Sequence, residues 1–191
     1  MTIGTASSLE REQSRCANGG SELTREAPSH ATDPEQLQWD RHCLALALKH
    51  SELSKDPETR VGALIAGPHR DIRAMGFNRF PEGIAETAER LNNREEKLQL
   101  MVHAERYAIL NAARAGIALE GCTLYLAATD DSGLVWGGPP CTACTIEILP
   151  AGIVEIVAYP VKPVPSKWHG NLKFARALLA EKGIRFRELP V

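Results

Sequence analysis

Apolar and polar positions begin to recur with a regular period only from Leu37 onward. Residues 1–33 are rich in Ser, Gly, Glu, Arg and Thr, with few aliphatic residues and no aromatic ones. Such a stretch cannot bury enough apolar surface to offset the entropy of ordering it, so it reads as a disordered tail ahead of one folded domain, 34–191. Asp33-Pro34-Glu35-Gln36 then opens a helix. Asp is a good N-cap, Pro suits the first turn, and Gln stands at the capping-box position. Leu37, Cys43, Leu44, Ala47 and Leu48 give that helix an apolar stripe as far as about Ser51.

Beyond the loop Ser54-Lys55-Asp56-Pro57, Val61 to Ala66 reads as a strand, Gly67 to Asp71 as a turn and Ile72 to Phe77 as a second strand. Arg79 to Leu100 is charged and reads as loop, then part helix. A helix runs from Ala104 to about Ala115, with Gly116 as its stop. Cys122 to Ala127 has the pattern of a buried strand, and Asp130 to Gly138 that of a glycine-containing loop. A helix from about Cys141 ends before Pro150, Ile153 to Tyr159 is a strand, a helix spans about Asn171 to Lys182, and Ile184 to Leu189 closes the chain as a strand. A helix joins the last two strands, which requires a crossover and makes them parallel. The expected fold is α/β, a three-layer α-β-α sandwich around a five-stranded mixed sheet.

Composition changes this picture little. Apolar residues make up 43% and charged residues 24% of the 191, an ordinary globular balance. No apolar run is long enough to span a bilayer, and the polar N-terminus lacks the apolar core of a secretory leader. Five cysteines, two of them in a C-x-x-C, then read as reduced thiols of a cytoplasmic protein. Formal net charge is −2. Three Arg stand against five Asp and Glu in 1–33, which leaves 19 charges of each sign in the rest. No basic block is present to grip phosphates of nucleic acid, so a small substrate is expected, with neither nucleic acid nor membrane as partner.

The candidate chemistry lies in two short stretches, His103-Ala104-Glu105 and Pro139-Pro140-Cys141-Thr142-Ala143-Cys144. One His and two Cys can hold Zn²⁺ and leave its fourth position to water, the arrangement of a catalytic site. His103 and Cys141 both fall at helix starts, where positive partial charge favours the thiolate a metal needs. Glu105 is placed to shuttle protons at the open position. A structural zinc site would want a fourth ligand, and Cys43, His50, Cys122 and His169 all lack ligand spacing; Cys122 reads as core. The H-x-E…P-C-x-x-C pairing resembles the signature of zinc-dependent nucleobase deaminases.

Further stretches extend this likeness across Leu37 to Leu189. They are Ser54-Lys55-Asp56-Pro57-Glu58-Thr59-Arg60-Val61-Gly62, then Gly76-Phe77-Asn78, the Arg79–Leu100 segment, His103 through Asn111, Pro140 to Cys144, and Phe174-Ala175 through Arg187. Together they resemble the cytidine and deoxycytidylate deaminase superfamily, and within it the deoxycytidylate deaminases. The resemblance implies a cytidine deaminase-like fold, zinc on His103, Cys141 and Cys144, and Glu105 as the proton shuttle. It implies Asn78 on the nucleotide sugar, the backbone at Ala104 on the pyrimidine carbonyl, conversion of dCMP to dUMP, and a homo-oligomer. Three places depart from the family's pattern: the longer Asp130–Pro139 stretch with Trp136, Arg79 after Asn78, and Arg106-Tyr107 after the Glu.

A 5′-phosphate would need cations. Lys55, Arg60, Arg79, Arg90 and Arg94 lie in the family-like segments, with Arg79 preferred for its place beside Asn78. Trp136 stacks on a base or caps its own loop. Trp39 and Trp168 read as packing residues, and the Arg90–Lys97 charge run as an exposed helix face. The rival functions are deamination of another base or carrier (guanine, another amino-heterocycle, a tRNA adenosine) and a non-catalytic zinc module.

Overall fold

The computed structural model describes residues 33–191, apart from the side chain of Lys167. Residues 1–32, and with them all but the last residue of the expected tail, lie outside the described residues. Asp33 caps helix α1 (Pro34–Ser51), accepting from the Glu35 amide at 3.1 Å. Strands β1 (Thr59–Ala66) and β2 (Ile72–Phe77) form a hairpin, followed by two short helices, α2 (Ala88–Asn92) and α3 (Arg94–Leu100). Next come α4 (Ala104–Ala115), β3 (Thr123–Asp130), a two-residue strand β4 (Val135–Trp136) and α5 (Thr142–Ile148). Strand β5 (Glu155–Ala158), helix α6 (Ser166–Lys182) and strand β6 (Arg185–Glu188) complete the chain.

The sheet order is β2-β1-β3-β5-β6, the five strands expected, with β4 added against the end of β3. β1 is antiparallel to both β2 and β3, whereas β3–β5 and β5–β6 are parallel. Strand alternation sorts side chains onto two faces. On one face Leu64, Ala66, Tyr125, Ala127 and Val157 pack with Cys43, Leu44 and Ala47 of α1. On the other, Ala63, Ile65, Leu124, Leu126 and Ile156 pack with Ala104, Ala108 and Ala112 of α4, Cys144 and Ile148 of α5, and Leu179 of α6. The layers are therefore α1, sheet, and α4–α5–α6. Cys122 is fully buried in this second core.

Two glycines let helices approach the sheet closely. A Cβ at Gly62 would lie 1.8 Å from the Ala47 carbonyl oxygen of α1, and one at Gly76 would lie 2.4 Å from backbone atoms of Ala104 and Ala108. The second contact seats the start of α4 directly on β2.

Several element boundaries differ from the sequence expectation: β3 runs on to Asp130, β5 is confined to Glu155–Ala158, and β4 and α6 differ most. β4 falls inside the stretch read as loop; its pairing of Ala128 with Trp136 and Thr129 with Val135 is a tertiary contact with no periodic signature of its own. Helix α6 begins five residues before Asn171, running through Gly170 from Pro165, whose ring suits a helix start better than an interior.

Candidate active site

His103 and Cys141 are the N-caps of α4 and α5, both with extended backbone and neither making a side-chain cap bond, so their ring and sulfur stay available. Both helices lie on the same face of the sheet. They begin beside the C-terminal end of β3, where the sheet changes from antiparallel to parallel pairing. Open α/β sheets bind ligands at such points.

Nδ1 of His103 lies 3.5 Å from Cys141 Sγ and 3.3 Å from Cys144 Sγ. The three ligand atoms lie within 4.8 Å of one another, a group able to hold a metal ion. Zinc bond lengths of about 2.0 Å to nitrogen and 2.3 Å to sulfur, at a tetrahedral angle, require an N···S separation of about 3.5 Å. The donor set therefore fits the ion. Its charges agree: the Cys141 thiol is pulled down to about 4, first by hydrogen bonding from Cys144 and also by His103. Cys144 is pushed up by the same pairing and by burial. His103 is raised to about 9 by its bond with Cys141, against the effect of burial. A divalent cation binding here would displace whatever protons these ligands carry.

Glu105, in the first turn of α4, is 6% exposed, and burial raises its carboxyl above the ordinary range. It shares with His103 and Cys141 the wall of a cleft of about 430 Å³, a volume suited to a small molecule. The floor is the stretch Leu126–Ala128 of β3, of which Leu126 and Ala128 share the side of the strand opposite to Ala127, whose side chain packs toward α1.

The cleft takes in some of the expected binding residues and leaves out others. Asn78 lines it, but its carboxamide is engaged with β1: Oδ1 accepts from the Val61 amide at 2.7 Å and Nδ2 donates to the Thr59 carbonyl at 2.9 Å. Trp136 lines it, with Lys162 Nζ 4.9 Å from its ring centroid and its indole N–H buried without a partner. Ala104 is fully buried between His103 and Glu105. Arg79, Lys55 and Arg60 are not among the lining residues. The Arg79 guanidinium lies over the rings of Phe77 and Tyr107, at 5.4 and 5.7 Å. Lys55 is exposed and pairs with Glu86. Arg60 alternates with the lining residues Thr59 and Val61, so it faces the α1 side with Gly62 and Leu64.

Other lining residues carry no local sequence signal. Lys97, expected on an exposed face, is 4% exposed; it donates to Asp56 at 3.2 Å and Glu58 at 3.0 Å, two residues about forty positions away. Its charge is solvated by carboxylates instead of water, which corrects the reading of the Arg90–Lys97 run at its last member. Arg94 of that run is exposed and lines the cleft. Lys162 is anchored to Asp130 at 2.5 Å, and Trp168, expected in packing, lines the cleft while 38% exposed. Lys162 enters from the Pro-rich connection between β5 and α6, where no period shows, and Trp168 from the first turn of α6.

Comparison with known proteins agrees with this geometry. Residues 37–159 match the family model of the cytidine and deoxycytidylate deaminase zinc-binding region. The chain belongs to this family. It is a hydrolytic deaminase with the family's cytidine deaminase-like fold. It is 30% identical over 163 residues to the deoxycytidylate deaminase of Mus musculus, with 81% of each chain covered. It is 29% identical over 163 residues to that of Homo sapiens, again with 81% of each covered. The crystal structure of the dCMP deaminase from cyanophage S-TIM5 in apo form superposes with a TM-score of 0.60 at 19% identity, covering 82% of this chain and 99% of the phage chain. That last likeness is one of fold. Among the described residues no helix is long and apolar enough to cross a membrane.

Proposed function

We propose that this chain binds one zinc ion through His103, Cys141 and Cys144 and hydrolyses a cytosine nucleotide, dCMP, to dUMP and ammonia. The observation that carries the reading is the convergence of His103 Nδ1 with both sulfurs at tetrahedral edge lengths, on the wall that also holds Glu105. Zinc held there would supply an acidic water, hydroxide near neutral pH.

The chain's own groups do the rest. Glu105 takes one proton from the attacking water and delivers it to the ring nitrogen beside the amine-bearing carbon, then takes the second from the hydroxyl formed on that carbon and delivers it to the amine, which leaves as ammonia while the carbonyl forms. A carboxyl raised by burial holds and releases a proton nearer neutrality than an exposed one. Leu126 and Ala128 give the base an apolar bed, and Trp136 and Trp168 offer ring faces along the wall. Arg94, Lys97 and Lys162 are the cations lining the cleft. Lys97 and Lys162 are already paired with carboxylates, so the phosphate role is proposed for Arg94, the exposed member of this group. The neutral charge balance of residues 34–191 supports a mononucleotide over tRNA. The reading includes a cytoplasmic homo-oligomer, for which the exposed Leu110, Ile146 and Phe174 of α4, α5 and α6 supply apolar surface.

Metal analysis tests the ligand set. The purified protein is expected to hold one zinc per chain, and Cys141→Ala to lose most of it, since two protein ligands make a far weaker site. Undiminished zinc in that variant would remove Cys141 from the set.

A further inference from the structure

We infer that Arg106 and Glu147 form a clamp that positions the zinc ligands by fixing helix α4 against helix α5, an inference that rests on the zinc reading above. Arg106 Nε donates to Glu147 Oε2 at 2.7 Å, and Nη2 approaches Oε1 at 2.6 Å. This is the two-pronged fork of a guanidinium on a carboxylate, which constrains direction as well as distance. Arg106 is three residues from His103 on α4, and Glu147 three residues from Cys144 on α5.

The need for a clamp follows from the packing. The buried residues of α4 are Ala104, Glu105, Ala108 and Ala112 and those of α5 are Cys144, Thr145 and Ile148, the three alanines sharing one core with Cys144 and Ile148. Alanines offer little for a neighbouring helix to interlock with, so apolar contact alone defines the axial register of the two helices weakly. Yet His103 caps one helix and the two cysteines belong to the start of the other, so the N···S separations depend on that register. The fork supplies the directional contact between them. Both side chains are a little over one-third exposed, so the pair adds modest stability and its worth lies in geometry. His103–Cys144 and Arg106–Glu147 then form two ties between the same helices, one to be closed by metal and one closed already.

The test is zinc affinity by competition with a chromophoric chelator on the full-length protein, for Arg106→Ala, Glu147→Ala and the double variant. The two single changes alter local charge in opposite senses. A charge effect on the metal therefore moves the two dissociation constants in opposite directions, and a clamp moves them the same way. The expected result is weakening of about fivefold in each single variant, and no more in the double. Arg106→Lys, which keeps the charge and loses the fork, should weaken binding by a similar factor, and it serves if the alanine variants fold poorly. A pair that is only structural would lower the melting temperature of the metal-free protein and leave zinc affinity unchanged. That result, or opposite shifts in the two single variants, overturns the clamp. Absence of stoichiometric zinc from the wild type would instead overturn the zinc reading itself.

Discussion

Replacing Glu105 with glutamine is expected to lower turnover by about 10³–10⁴-fold while leaving fold and zinc content intact. The amide fills the same space in a site where the residue is 6% exposed, so packing is kept. It cannot take up a proton and release it again, which the exchange of amine for carbonyl oxygen requires twice. The measurement is kcat alongside metal analysis of the same preparation. Near-normal turnover would mean that another group carries the proton. Loss of zinc together with activity would make Glu105 a ligand or a structural support.

The second large effect concerns the frame. Arg187 of β6 donates to Asp40 of α1 at 2.8 Å and to Glu155 of β5 at 2.8 Å. Asp40 is fully buried, and it also accepts from the Tyr125 hydroxyl and the Gln36 amide, each at 2.8 Å. Arg187→Ala leaves Asp40 without its cation, at a cost of about 3 kcal/mol. The melting temperature should fall by about 6–12 °C. Burial raises the Glu155 carboxyl, but the bonds from Arg187 and Arg185 outweigh it and leave the group below its ordinary value. A depressed carboxyl stabilises the fold above its unfolded-state pKa and loses that contribution as pH falls through the folded value. The difference between wild type and variant should therefore shrink on acidification. Equal melting temperatures at neutral pH would show that the network contributes nothing.

What the sequence made legible follows from where each signal resides. α1 announces itself through Asp33-Pro34, and α4 through Gly116, because caps and stops are local chemistry. His103, Cys141 and Cys144 stand out in the sequence because donor types at short spacings are local chemistry, and the fold brings their ligand atoms within 4.8 Å of one another. Arg79 lies outside the cleft's lining for a related reason: adjacency to Asn78 along the chain says nothing about direction, and its guanidinium turns onto Phe77 and Tyr107. Lys97 was misread because burial of a charge depends on partners it meets only in the fold, Asp56 and Glu58. Strand β4, Lys162 and Trp168 escaped because each is defined by a neighbour distant in sequence.

The decisive measurement is ammonia release by the zinc-loaded, full-length protein with dCMP, CMP, deoxycytidine, cytosine and guanine, each at limiting concentration and with the product identified. Charge-assisted contacts from the cleft's cations to a phosphate are worth about 1.5–3 kcal/mol each, so two would separate dCMP from deoxycytidine by two to four orders of magnitude in kcat/KM. The expected product is dUMP, with dCMP the preferred substrate by at least about 100-fold. Equal or better turnover of deoxycytidine, free cytosine or guanine would contradict this reading.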